Sequence, residues 1–184
     1  MSANADAVKL FRHGLADLPA VQSTLVAVYA EVYADQLAIP FHSVERFEKR
    51  LAGHASRPGW EAVVGYVDGE PVGYAYASPL PQGTRWWAGM LNPLPEEDRA
   101  EDGARTLALF ELMVRHPWRG TGVAQRIHEE LLTGRPEERV TLLVEPTHVK
   151  VKALYERWGY EDIGDQRPFP DAPVYATMLR TLRA

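Results

Sequence analysis

The chain has 184 residues, 46% hydrophobic and 24% charged, with a formal net charge of −5 and no cysteine. That length suits one domain with a single sizeable core, and the missing cysteines exclude disulfides, a thiol nucleophile and thiolate metal sites. The acidic balance argues against nucleic acid. No apolar run nears the ~18 residues of a membrane span, and the start, MSANADAVKLFRHG, lacks the apolar stretch of a signal peptide, so a cytoplasmic protein with no membrane partner is expected.

VKLF reads as a short strand. Asp17 is placed to cap a helix with Pro19 in its first turn and Val21, Leu25, Val28 and Val32 at helical spacing, running to about Ala34. Ser43 can cap a second helix with Val44, Phe47 and Leu51 on its apolar face, ending near Gly53. WEAVVGYV and PVGYAYA flank Asp68-Gly69, a strong hairpin signal. From 79 to 104 the chain, PLPQGTRWWAGMLNPLPEEDRAEDG, has no period and reads as a long acidic and aromatic loop insertion. Its acids, Glu96, Glu97, Asp98, Glu101 and Asp102, suit either steering of a cationic substrate or a solvated loop.

A strand over Thr106 to Val114 follows, then a glycine turn, then a helix with Val123, Ile127 and Leu131 on one face and Gly134 near its end. VTLLV is a buried strand. Thr147 can cap a last helix with a stripe of Val151, Leu154, Tyr155 and Trp158, stopped by Gly159. Strands near Tyr160 to Ile163 and Val174 to Leu182 close the chain. The order β-α-α-β-β-β-α-β-α-β-β predicts an α/β (α+β) fold. One domain spans 1–184, with a mixed sheet of about six to seven strands and helices on its faces.

The stretch VRHPWRGTGVAQR, Val114 to Arg126, carries the chemistry. A helix that starts directly after a glycine turn presents unpaired amides and the positive end of its dipole, which suits an anion. Arg119 stands at the mouth, and no acid does. A P-loop is excluded, because no Gly-Lys-Ser or Gly-Lys-Thr follows. A dinucleotide fingerprint finds Gly120, Gly122 and an acid, Glu145, ending the next strand. It also finds Gln125 where the third glycine belongs, and too little chain remains for its parallel strands. The plain alternative is a tight turn that binds nothing.

Together these residues resemble the GNAT superfamily of N-acetyltransferases. Arg119, Gly122 and Ala124 match its pyrophosphate signature, and ALYERWGY, with Tyr155, Gly159 and Tyr160, matches its second signature. The resemblance implies acetyl-CoA as co-substrate. Its pyrophosphate would lie on the amides of Arg119, Gly120, Thr121, Gly122, Val123, Ala124 and Gln125. Its pantetheine would run beside Leu112, Met113 and Val114, where the two central strands splay. His148 stands where the family commonly has a cofactor-contacting asparagine, so it is a cofactor candidate as well as an exposed first-turn histidine. Val151 replaces the family's alanine.

The implied reaction moves an acetyl group to a primary amine of a small molecule, by direct attack in a ternary complex. An acyl-CoA-binding module without transfer is the alternative. Tyr155 matches the family tyrosine that protonates the departing thiolate; its spacing equally suits a core tyrosine. Glu111, the one carboxylate inside LALFELMV, is the candidate base, and an ion pair with a nearby arginine is the structural alternative. Glu145 is a second candidate. Tyr29, Tyr33, Phe41 and Trp86 are candidates for acceptor contact. The histidines His13, His42, His54, His116 and His128 lack the spacing of a helical metal pair and are expected on surfaces or loops, so no metal is expected. A homodimer is an expectation from the family alone.

Overall fold

In chain order, residues 5–183, which the computed structural model describes, form β1 (Lys9–Gly14), α1 (Leu18–Val32), α2 (Val44–Ala55), β2 (Glu61–Val67) and β3 (Glu70–Pro79). There follow α3 (Glu96–Arg99), β4 (Thr106–Val114), α4 (Val123–Leu132), β5 (Arg139–Val144), α5 (Val149–Arg157), β6 (Glu161–Gln166) and β7 (Tyr175–Thr181). The seven strands belong to one mixed sheet in the order β1-β2-β3-β4-β5-β7-β6. The expected element order therefore holds, with the one-turn α3 added inside the insertion.

Local chemistry explains most boundaries. The Ser43 hydroxyl accepts from the Arg46 amide at 3.3 Å and caps α2. That helix runs through Gly53 to Ala55, two residues further than expected, because Leu51 and Ala55 are both drawn into the core. Asp17 precedes α1 but spends its carboxylate on the Gly14 amide at 2.9 Å instead of on the helix. At the β2–β3 hairpin Asp68 and Gly69 have φ of 51° and 85°, the left-handed pair that a two-residue turn needs. At the end of α5 the Tyr160 amide donates to the Tyr155 carbonyl and the Gly159 amide to that of Glu156, with Gly159 left-handed. This is the Schellman arrangement. The start of α5 differs from expectation: its cap position is His148, not Thr147, and no side chain caps it.

Two compact units divide the chain. The first comprises residues 1–78 and 110–135. Its core gathers Val21, Leu25, Val28 and Tyr29 of α1, Phe47, Leu51 and Ala55 of α2, Ala62 and Val64 of β2, and Tyr74 and Tyr76 of β3. The alternating Val63 and Ala75 are buried as well, so the other face of these strands is also covered, and α4 contacts β1 and β2 there. A Cβ on Gly73 would stand 2.5 Å from the Met113 carbonyl oxygen, so only glycine lets β3 lie this close to β4. Phe110 and Met113 both pack on this core, although strict alternation puts positions three apart on opposite faces.

The second unit comprises residues 79–109 and 136–184. Within it β4 pairs with β5 in parallel from Thr106–Arg139 to Ala108–Thr141, and the ladder stops there, three pairs into a nine-residue strand. β5 pairs antiparallel with β7, and β7 with β6. The insertion folds back onto this unit. Met90 bridges Gln166, the Leu91 amide donates to Asp165 O at 2.8 Å, and the Arg167 amide donates to Gly89 O at 2.8 Å. The acidic run is not uniformly solvated. Glu101 is buried, accepting from Trp87 Nε1 at 3.0 Å and Thr106 Oγ1 at 2.7 Å, with Arg139 at 3.2 Å. Glu96, Glu97, Asp98 and Asp102 are exposed.

Candidate active site

In the first unit the glycine turn has the shape that its sequence calls for. Gly120 and Gly122 have φ of 74° and 92°, and a Cβ built on either meets no atom within 4 Å. Gly122 is the cap residue of α4, and the first hydrogen bond of the helix runs from the Arg126 amide to the Gly122 carbonyl at 3.1 Å. The amides of Val123, Ala124 and Gln125 thus precede the ladder. The turn is braced from behind: Thr121 Oγ1 donates to the Trp118 carbonyl at 2.7 Å, and Arg119 Nε donates to Val114 O at 3.1 Å. The ten-residue α4 brings the positive end of its dipole to open backbone, which fits a diphosphate.

Glu111, on β4 of the same unit, is half-buried, and its charge acts on Tyr29, Tyr74, Tyr76 and Arg50. Desolvation raises its carboxyl from 4.5 to about 7, against a downward pull from the Arg50 guanidinium. A carboxyl near 7 is half ionised at neutral pH and can accept a proton. Tyr74 and Tyr76, both fully buried, are pushed well above 10, first by burial and then by Glu111. The ion-pair alternative for Glu111 is met only in part, since Arg50 acts on it electrostatically while donating to Phe41 O at 2.8 Å and Tyr29 Oη at 3.3 Å.

Three of the four acceptor candidates meet in this unit. Tyr29 stacks on Tyr33 with centroids 4.7 Å apart and on Phe47 at 3.9 Å, and its hydroxyl donates to His42 O at 3.0 Å. Phe41 lies under the Arg50 guanidinium at 5.0 Å. Tyr29 and Phe41 are therefore both buried, leaving Tyr33 nearer the surface. Sequence reasoning missed Arg50, His54, Arg57 and the tyrosine pair on β3. The signal was present as Arg46, Arg50 and His54 at successive i, i+4 positions of α2, a polar stripe beside the apolar one.

The expectation of surface histidines fails at three positions. His42 and His128 are buried, and His54 stacks on Phe110 at 3.7 Å with Nδ1 3.3 Å from Tyr76 Oη. Burial, then Arg57 and Arg50, hold His54 down to about 3, so it is neutral at physiological pH. Among the described residues no three His, Asp or Glu side chains gather into a metal site. Nor, among them, is any helix long and apolar enough to cross a membrane.

In the second unit Tyr155 is buried on α5, in edge contact with Trp158 and Tyr160 at 5.5 Å each. Leu154 and Trp158 are at least partly buried, whereas Val151 is exposed and leaves the expected stripe. His148 is half exposed, its Nε2 3.9 Å from Glu145. Trp86 belongs to this unit, where its carbonyl accepts from Gln166 Nε2 at 2.7 Å.

The model of the GNAT acetyltransferase family matches residues 27–160, most of the chain. The chain belongs to that family. No curated protein sequence matches it. Among solved structures, this GNAT chain is similar to an acetyltransferase from Thermus thermophilus (TM-score 0.62, 18% identity, 98% of this chain and 99% of that one). It is also similar to a ribosomal-protein-alanine N-acetyltransferase from Brucella melitensis (0.61, 22%, 95% and 99%). A third is the PaiA N-acetyltransferase from Thermoplasma acidophilum in complex with coenzyme A (0.55, 10%, 95% and 98%). These likenesses establish a shared fold. Family and fold together support an acetyltransferase.

Proposed function

We propose that the chain acts as one transferase domain that moves the acetyl group of acetyl-CoA to a primary amine of a small molecule in a ternary complex. The observation that carries this is the turn at Gly120 and Gly122, which opens the first amides of α4 to an anion in a chain of the GNAT family. Acetyl-CoA, when bound, supplies an acetyl group activated as a thioester. Arg119 to Gln125 would hold the diphosphate. Leu112 to Val114, which lie beyond the end of the β4–β5 ladder, would offer backbone to the pantetheine.

Glu111 accepts the proton that the amine loses as its nitrogen takes the acetyl group, directly or through water. Its raised pKa supports this role. Tyr155 Oη gives a proton to the departing sulfur, so proton and electron pairs balance: one N–C bond forms and one C–S bond breaks. That role and the cofactor contact of His148 rest on the family motif. The test is coenzyme A release over a panel of amines together with acetyl-CoA binding. Release on at least one amine supports transfer. Binding with no release on any amine overturns it in favour of a module that only binds acyl-CoA.

A further inference from the structure

Two guanidiniums, Arg50 and Arg57, act on His54, and one of them, Arg50, also acts on Glu111. Arg50 is tied down by Phe41 O and Tyr29 Oη, and it is the counter-charge that Glu111 feels. Arg57, in the turn between α2 and β2, is different. Its guanidinium lies 5.1 Å over the Phe110 ring, its Nη1 is buried, and among the described residues that nitrogen has no hydrogen-bond partner. No carboxylate pairs with it among the described residues. A buried donor without an acceptor is costly, and one that persists calls for a partner such as an ion, a water or a ligand. His54 brings no charge of its own to the cluster, because burial first and then the same two arginines hold it neutral. Tyr74 Oη, fully buried, is a second donor here with no described partner.

The Phe110 ring carries Arg57 at 5.1 Å and His54 at 3.7 Å; Arg57 and Arg50 both act on His54, and Arg50 acts in turn on Glu111. An acceptor whose amine approaches Glu111 therefore borders a cluster of guanidiniums that includes Arg57. Resting on the transferase reading above, we propose that the acceptor is a primary amine that also carries a compact anion, a carboxylate or a phosphate-like group, and that Arg57 is its counter-ion. A diamine or polyamine would meet Arg57 and Arg50 with like charge, and such juxtaposition disfavours the wrong partner. The exposed acids of the insertion suit either steering of a cationic acceptor or a solvated loop; the guanidiniums Arg50 and Arg57 favour an anionic one. Guanidinium geometry, a planar fork of donors, matches a carboxylate in two bonds where an amide offers one acceptor.

The experiment compares kcat/KM for ω-amino carboxylates of two to five methylenes with their amides, the corresponding aminoalkyl phosphonates and the matching diamines, at a pH corrected for each amine's ionisation. Wild type should favour an anionic member over its amide and diamine by at least tenfold, and the carboxylate and phosphonate arms identify which anion fits. Arg57→Gln should collapse that preference mainly through KM, and Arg57→Lys should restore part of it. Arg57→Gln should also keep or raise the thermal midpoint, since it removes an uncompensated charge. Equal use of amides or diamines by wild type overturns the proposal while leaving the transferase reading intact, as does an equal loss on every acceptor in Arg57→Gln. Acetyl-CoA binding with no amine acetylated overturns both.

Discussion

Replacing Glu111 by glutamine probes the site through stability as well as through rate. The carboxyl titrates at about 7 in the folded protein against an ordinary 4.5, because burial outweighs the help of Arg50. Between those values the unfolded chain has released its proton while the folded one still holds it. Stability therefore falls as pH rises through that window, by about 1.36 kcal/mol per pH unit, and about 3 kcal/mol is lost above pH 7. Glu111→Gln abolishes this titration. The variant's stability relative to wild type should rise by about 3 kcal/mol between pH 4.5 and pH 8, whatever constant offset the amide adds.

Wild type alone would hide the effect. His54, depressed from 6.5 to about 3, contributes a slope of opposite sign: below 6.5 the unfolded chain takes up a proton that the folded one refuses. Urea unfolding of both proteins across the window isolates the Glu111 part, since His54 cancels in the difference. A difference that stays flat with pH refutes a desolvated carboxyl at this position. The same variant should lose roughly 10²–10⁴-fold in kcat/KM, and wild-type kcat/KM should fall as pH drops below about 7.

Three other substitutions follow from the structure. Gly122→Val should abolish acetyl-CoA binding yet leave the protein folded; the left-handed φ of 92° costs a side chain about 1–2 kcal/mol, while the Cβ itself meets nothing within 4 Å. Retained affinity by calorimetry speaks against the amides as the diphosphate site. Tyr155→Phe should spare binding and slow turnover, and an unchanged kcat removes its assignment as the acid. Glu101→Ala should destabilise the fold by about 2–4 kcal/mol in chemical denaturation, because it removes the counter-charge of Arg139 and leaves the buried Trp87 and Thr106 donors without their acceptor. A loss under about 1 kcal/mol would mean that this carboxylate does not anchor the insertion.

What the sequence revealed was local. Ser43 at the start of α2, Asp68-Gly69 between two β-rich runs, and the glycines before α4 each act on neighbours a few residues away, so their spacing alone was informative. The element order and the family followed from such signals. What it hid was long-range. Glu101 sits in an acidic run and looks solvated, until Arg139 and Trp87 arrive from other elements to bury it. His54, His42 and His128 carry no sign of burial in their immediate context. Arg57 looks like an ordinary loop residue, and only the fold sets it over Phe110, next to the one acid of β4. Thr147 met every local requirement of a cap, yet the helix begins one residue later.

The central claim is that open amides at the start of α4 hold the diphosphate of acetyl-CoA. Titrating acetyl-CoA into wild type and Gly122→Val, by calorimetry and by thermal unfolding, tests it most directly. Saturable binding should stabilise wild type by roughly 2.7 kcal/mol at a hundredfold excess over Kd and leave the variant unmoved. Wild type that shows neither heat nor stabilisation at millimolar acetyl-CoA, or a variant that binds as well, contradicts it.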